Sequence, residues 1–355
     1  MSASSVVQPP LRLLILRFSA LGDVAMTVPV VASLAAQYPQ MQITVASQPF
    51  LAPLFEHIAP NVQFFGVDIR KTYRGLRGLW QLSRTTPFKD CDAVADFHDV
   101  LRTKILRCFL HLRGKRVAVI DKHRREKRLL VKHKIFRPLP TSFALYAETL
   151  ARLGLPISLN FEHLKLDGDK LPLPFPQPTD ALHEPWLGLA PFAAHKGKVY
   201  PLEQMAEVVR LFFEAHPGGR LFVFGSKKEM EMLRPTWGKD FERLVFVCDL
   251  LKGLGAELQL MARLNAMVSM DSGNMHLASL VGCPVVSIWG QTHPFAGFMG
   301  YHQAEENVVQ QDLSCRPCSI FGNAPCRYGD FRCLRDILPQ LIVDKVEEII
   351  SPEQD

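Results

Sequence analysis

Long apolar runs are missing from this chain of 355 residues. No stretch reaches the ~18 apolar residues that a membrane span requires. The polar start MSASSVVQPP is followed only by Leu11–Leu16, a run interrupted by Arg12 and closed by Arg17. A secretory h-region is longer and ends at small residues, so a cytoplasmic protein is expected. There is no G-x-G-x-x-G fingerprint and no G-x-x-x-x-G-K-[ST] loop, which argues against a standard dinucleotide oxidoreductase and a P-loop NTPase. Eight cysteines in this length are too sparse for a disulfide scaffold. Charged residues, at 21%, are neither scarce nor dominant beside 48% apolar residues, which excludes a disordered chain and a collagen. What remains is an ordinary globular composition, long enough for two domains or three.

The order along the chain is strand, turn, helix, repeated. LRLLILR is short, apolar and branched, as a buried parallel strand is. FSALGD makes a turn, and Val24, Val28, Val31 and Leu34 then follow at helical intervals, with Pro29 expected to kink that helix without ending it. Strands are expected at Gln42–Ala46, Asn61–Val67, Cys91–Ala95 and Arg116–Ile120, with helical patterns at Leu76–Leu82, Val100–Leu112 and Ser142–Leu153. LDGDKLPLPFPQPTDALHEP, rich in proline, reads as a linker or extended crossing segment. Alternation restarts with WLGLAP, a helix opened by Pro201, LFVFG, LVFV, NAMVSM and PVVSIWG, and closes with an amphipathic helix near Ile337–Ile350. Such alternation implies right-handed crossovers and parallel sheets. The expected division is 1–165, a linker at 166–185, 186–335, and a C-terminal helix and tail at 336–355.

In open parallel sheets, ligands bind beyond the carboxyl ends of the strands, so the turns after the strands carry the chemistry. In MDSGNMHLASLVGCPVVSIWG, a strand ends at Met270 and a helix starts near Asn274. Asp271, Ser272 and Gly273 make the turn, and His276 lies in the first helical turn. Free N–H groups at a helix N-terminus beside glycine form an anion site; simple capping by Asp and Ser is the alternative. In ILRFSALGDVAMTVP, Gly22 permits a turn and Asp23 sits at or near a helix N-cap. A carboxylate there is either a cap or, facing a cleft, a proton acceptor for a substrate hydroxyl.

FSALGDVAMTVPVVASLAAQYP near the start and MDSGNMHLASLVGCPVVSIWGQTHP near the end resemble glycosyltransferase family 9, which contains the ADP-heptose:lipopolysaccharide heptosyltransferases. HKGKVYPLEQM is similar to the family's lysine loop before a helix that begins at Pro, and TSFALYAETLARLGL to the helix closing its first domain. The resemblance implies a GT-B architecture of two facing Rossmann-like parallel-sheet domains with a cleft between them. It implies an inverting transfer with no metal needed for catalysis, from a nucleotide-sugar donor such as ADP-heptose to the inner core of lipopolysaccharide. By resemblance, Asp23 takes the place of the general base. Lys198 meets the donor diphosphate, Glu229 falls near the ribose, and Asp271, Ser272, Gly273 and His276 hold phosphates and sugar. One departure stands out: Ala193 and Ala194 occupy positions where the best-known heptosyltransferases carry phosphate-binding hydroxyls. Lys196, two residues from Lys198, is an alternative diphosphate contact.

Two further features carry charge or thiols. Between Arg102 and Arg137 there are 14 Lys/Arg against Asp121 and Glu126, while the rest of the chain has 27 basic and 33 acidic residues. This stretch is a solvated helix face or a basic surface. Without aromatic interleaving it is not read as a nucleic-acid site. The favoured partner is an anionic glycolipid acceptor at the inner-leaflet membrane surface, which attracts such residues by about 1 kcal/mol each. Arg124, Arg125 and His98, the last at a strand end, are the candidate acceptor contacts. Cys315, Cys318, Cys326 and Cys333 lie in SCRPCSIFGNAPCRYGDFRCL. They suit a structural zinc site, free or redox-active thiols, or disulfides, the last disfavoured in a cytoplasmic chain.

Overall fold

The computed structural model describes residues 10–56, 58–166, 171–174, 180, 182–240 and 243–351. The expected linker at 166–185 and the tail therefore lie partly outside the described residues. The chain divides into two compact units. The first takes the chain up to His123 together with Pro140–Glu162; the second takes Arg124–Leu139 and the chain from His163 on.

The first unit holds a five-stranded sheet: β1 (Arg12–Leu16), β2 (Gln42–Ser47), β3 (Val62–Gly66), β4 (Ala93–Asp96) and β5 (Arg116–Val119). Its order is β3-β2-β1-β4-β5 and every pair is parallel. Chain order runs outward to one edge, returns, and runs out to the other, so β1 and β4 are neighbours where the order reverses. Leu13 stands beside Ala93 and Leu16 beside Asp96. Helices cover the faces: α1 (Leu21–Ala25), α2 (Val28–Gln37), α3 (Gly75–Leu82) and α4 (Leu101–His111). The expected kink at Pro29 is a break. The chain leaves helix after Ala25 and re-enters at Val28, with Pro29 in the new first turn, where its missing N–H would have had no partner. Leu14, Leu16, Phe18, Val94, Leu106 and Leu110 form one apolar cluster, each fully buried side chain contributing about 1.5–3 kcal/mol.

Residues 124–139 depart from the linear boundaries. Helix α5 (Arg124–Val131) packs in the second unit, where Leu130 and Leu139 bury against Ala296. The Leu139 N–H donates to the Phe295 carbonyl at 2.9 Å, and the Lys127 ammonium sits 4.4 Å from the Phe298 ring centroid. The basic stretch is thus shared between the units. The chain then returns to the first unit as α6 (Ser142–Ala151), capped by Thr141.

The second unit holds six strands: β6 (Trp186–Ala190), β7 (Arg220–Val223), β8 (Leu244–Phe246), β9 (Ala266–Met270), β10 (Val285–Trp289) and the short edge strand β11 (Val308–Gln310). The order is β11-β10-β9-β6-β7-β8, again all parallel, and the reversal falls between β6 and β9. Every residue of β6, β9 and β10 is buried, as a sheet covered on both faces requires. The covering helices are α7 (Leu202–Ala215), α8 (Lys227–Asp240), α9 (Val247–Leu250), α10 (Leu254–Met261), α11 (Gly273–Leu280), α12 (Arg332–Arg335) and α13 (Pro339–Ile350). The last brings Ile342, Val343 and Val346 into the core with Val208 and Phe212 of α7.

Between β11 and α12 the chain is held by Arg316. Its buried guanidinium donates to the carbonyls of Trp289, Gly290, Thr292 and Gln311. Removing this donor leaves buried carbonyls without partners. Arg316→Leu is therefore expected to cost on the order of 3 kcal/mol, read as a lower denaturant midpoint. A midpoint equal to wild type would show that the clamp is not needed.

Candidate active site

Each sheet presents charged residues where its strand order reverses. In the first unit the turn after β1 carries Arg17, which is buried, and leads into α1. Asp23 is not the N-cap; it is the third helical residue, and its carboxylate reaches back to accept the Ala20 N–H at 3.2 Å. The same carboxylate lies 2.5 Å from the Arg17 guanidinium, with the Asp23 side chain 33% exposed and that of Arg17 only 7%. Arg17 is fixed on its other side by the Phe97 carbonyl at 2.6 Å. The Tyr146 hydroxyl donates to the Asp23 carbonyl at 3.2 Å, and its ring stacks on Phe97. The carboxylate is thus fixed in direction while a third of the side chain stays exposed, as a group that accepts a proton from a ligand must be reachable.

His98 follows β4 and reaches the same turn. Its Nδ1 accepts the Phe18 N–H at 3.4 Å and its Nε2 lies 3.5 Å from the Ser19 hydroxyl. Burial, then the cations of Arg17 and Lys122, push its pKa down to about 3, so the ring is neutral. The structure thus brings His98 to the turn that carries Asp23, whereas Arg124 and Arg125, the other candidate acceptor contacts, lie on α5 in the second unit.

In the second unit the loop after β6 ends in a single turn, Lys196–Lys198. Lys198 Nζ pairs with Asp271 Oδ2, just after β9, at 2.8 Å, the side chains being 15% and 4% exposed. Lys196 is exposed, so Lys198 is the lysine held at the strand-order reversal. Ser272 occupies the N-cap of α11, yet its side chain makes no capping bond; its hydroxyl lies 3.3 Å from that of Ser269. The simple capping alternative therefore does not describe what this serine does. Gly273 opens α11, leaving the helix's first N–H groups without a side-chain cap, and His276 is buried in the first turn. Glu229, after β7, accepts the Ser226 N–H and hydroxyl, both at 2.7 Å. One of its oxygens is thereby committed to capping α8, a role the sequence reading did not assign.

The four clustered cysteines are free thiols. Among the described residues no group of three or more His, Cys, Asp or Glu side chains is gathered as a metal ion needs. Cys333 is buried on α12 within the second-unit core, and burial pushes its thiol up to about 11. Residues missed from sequence are Arg17, visible only as a charge closing an apolar strand, and Gln291, a fully buried amide after β10.

Two all-parallel α/β units, each with charged residues at its strand-order reversal, are the GT-B fold shared with the solved structures below. The family model for glycosyltransferase family 9 (heptosyltransferase) matches residues 89–324. The chain belongs to this family and is a glycosyltransferase. It is similar to lipooligosaccharide heptosyltransferase 2 of Campylobacter jejuni (22% identity; 94% of this chain, 97% of the relative). It is also similar to lipopolysaccharide core heptosyltransferase OpsX of Haemophilus influenzae (25%; 81% of each). Among solved structures, a family 9 glycosyltransferase from Veillonella parvula superposes with TM-score 0.72 at 20% identity, covering 96% of this chain and 97% of that one. The E. coli ADP-heptose lps heptosyltransferase II gives 0.67 at 20%, covering 97% and 100%.

The neutral His98 has a pH consequence. Its folded pKa lies below the unfolded value of about 6.5, so below that pH the unfolded chain binds a proton that the folded chain refuses. Its contribution is unfavourable in acid, growing as pH falls from about 6.5. His98→Gln should flatten the fall in melting temperature between about pH 7.5 and pH 4.5. Identical slopes for both proteins would show that His98 titrates normally.

Proposed function

We propose that the protein is an inverting heptosyltransferase that moves heptose from ADP-heptose to the inner core of lipopolysaccharide. The observation that carries this reading is the Lys198–Asp271 pair beside the uncapped N-terminus of α11, in a family 9 chain. The relatives are named as lipooligosaccharide and lipopolysaccharide heptosyltransferases. Asp23 takes the proton of the acceptor hydroxyl as its oxygen bonds to the anomeric carbon and the bond to the diphosphate breaks. The charge gained by the diphosphate is met by Lys198, by the α11 N–H groups with Ser272 and Gly273, and by His276. Fixed donors of this kind act most strongly in the transition state. Glu229 takes the ribose with its second oxygen. Pairing with Arg17 and the bond from the Ala20 N–H keep Asp23 aimed. Ala193 and Ala194 remove two hydroxyl donors, so donor preference is tested directly, by release of nucleoside diphosphate from ADP-, GDP- and UDP-sugars with purified acceptor. Release from none of them would sink the reading.

Asp23→Ala should lower turnover by about 10²–10⁴-fold with donor affinity nearly intact. Lys198→Ala and His276→Ala should each weaken ADP binding by about ten- to a hundred-fold. Lys198→Ala also leaves the buried Asp271 charge without its cation, so unfolding is followed beside calorimetry. Wild-type turnover in the first variant, or wild-type ADP affinity in both others, would displace these residues from their roles.

The acceptor is proposed to be an anionic glycolipid met at the cytoplasmic face of the inner membrane, with Arg124 and Arg125 among its contacts. No helix of the described residues is long and apolar enough to cross a membrane. Reversing Arg124, Arg125, Lys127 and Arg128 together should reduce sedimentation with anionic vesicles, less so in added salt because exposed charges are screened over about 8 Å. Unchanged vesicle binding beside lost ADP affinity would place α5 at the donor instead.

A further inference from the structure

The segment 315–333 reads in sequence as a thiol-rich unit of its own; its part 315–326 packs against the turn that carries Lys198. Three backbone segments meet behind Lys198. The Gly197 N–H donates to the Gly322 carbonyl at 3.2 Å, and the Gln291 N–H donates to the Gly197 carbonyl at 2.8 Å. The Gln291 carbonyl accepts from the N–H groups of Cys318 and Ser319 at 3.1 and 3.3 Å. Its side-chain amide donates to the Ala324 carbonyl at 2.9 Å. Ser319 folds the loop tip by accepting, at its hydroxyl, the N–H groups of Phe321, Gly322 and Asn323 at 3.2, 2.9 and 3.2 Å.

No side chain fits between these segments. A Cβ on Gly197 would lie 2.0 Å from Gln291 Oε1 and 2.7 Å from the Gly322 carbonyl oxygen. A Cβ on Gly322 would lie 2.5 Å from Cγ and 3.1 Å from Cδ of Lys198. The lysine stem therefore lies directly on the bare backbone of Gly322, at φ +75°, on its way to Asp271. A lysine stem is a flexible chain of four carbons, and its ammonium is worth most to a ligand when that freedom is already lost.

We propose that Gly322 is a positioning residue: the loop 315–326 sets the path of the Lys198 stem, and through it the affinity for the donor's diphosphate. The proposal rests on the reading that Lys198 meets that diphosphate.

The experiment uses the full chain with ADP as probe. Gly322→Ala places a methyl group on the lysine stem. Gly329→Ala is the matched control, since Gly329 has the same φ of +75° and nothing within 4 Å of its Cβ, so it carries the backbone strain without the contact. Gly322→Ala should weaken ADP binding about ten-fold, and Gly329→Ala less than about two-fold. In a Lys198→Ala background, Gly322→Ala should change ADP affinity no further, because the atoms it displaces are gone. Equal losses in both backgrounds, or no loss in the wild-type background, would overturn the proposal.

If Lys198→Ala alone leaves ADP affinity unchanged, it is the diphosphate assignment that fails. The loop's hold on the stem is then read from melting temperatures of the same proteins. The extra cost of Gly322→Ala over Gly329→Ala should vanish in the Lys198→Ala background, and its persistence would overturn the contact. Should Gly322→Ala not fold, Ser319→Ala loosens the same tip by removing the acceptor of three N–H groups. It should weaken ADP binding several-fold when Lys198 is present and leave it unchanged in the Lys198→Ala background; equal weakening in both would overturn the proposal.

Discussion

A parallel sheet whose strand order reverses has one place where neighbouring strands send their chains in opposite directions. The loops that leave those two strands diverge, and the residues just past the strands stand side by side at the sheet's carboxyl end. This protein has two such places, β1 beside β4 and β6 beside β9. Arg17, Asp23 and His98 owe their company to the first, and Lys198 and Asp271 to the second. Neither grouping has any basis in sequence spacing: His98 comes 75 positions after Asp23, and Asp271 comes 73 positions after Lys198. Pairings of strands, made by apolar residues with no chemistry of their own, carry the charged residues into place.

The ion pairs at these ends do little for stability alone. Taking a carboxylate and a cation out of water costs several kcal/mol per ion, and a buried pair only roughly recovers this. Arg17–Asp23 and Lys198–Asp271 are both largely buried on one side or both. Each is nonetheless held by further hydrogen bonds or close backbone packing. Such a desolvation cost is understandable at a site where a ligand must find charges already aimed. For Lys198 the pairing has a second effect. On the proposed reading, a diphosphate would meet the lysine already paired with Asp271, and its net attraction would be the difference between two pairings.

The thiol-rich segment shows how little residue spacing says about what surrounds each side chain. Four cysteines within 19 residues look like a metal site because spacing is all that sequence displays. In the folded chain Cys333 belongs to the apolar core through α12, and the others ride on a loop held by Arg316 and Ser319. What the loop sets against the lysine stem is backbone, since Gly322 has no side chain there; Gln291, after β10, bonds to both neighbouring segments.

The amino-acid sequence by itself determined the architecture and most of the residues at the candidate site. Buried parallel strands announce themselves as short branched apolar runs, because both faces must be covered. The turns after β1 and β9 announce themselves as Gly-Asp and Asp-Ser-Gly, because a strand-to-helix turn constrains its residues locally. Both are short-range effects, and short-range effects are legible. The break before Pro29, the passage of 124–139 into the second unit, the pairing of Lys198 instead of Lys196, the neutral His98 and the seat of Lys198 on Gly322 were decided only by tertiary structure. Each depends on a partner far away along the chain: a carbonyl of Phe295 for the basic segment, a carboxylate after β9 for the lysine, burial beside Phe18 for the histidine. Desolvation, charge pairing and close packing act between atoms that the fold has brought together, and no pattern confined to neighbouring residues contains them.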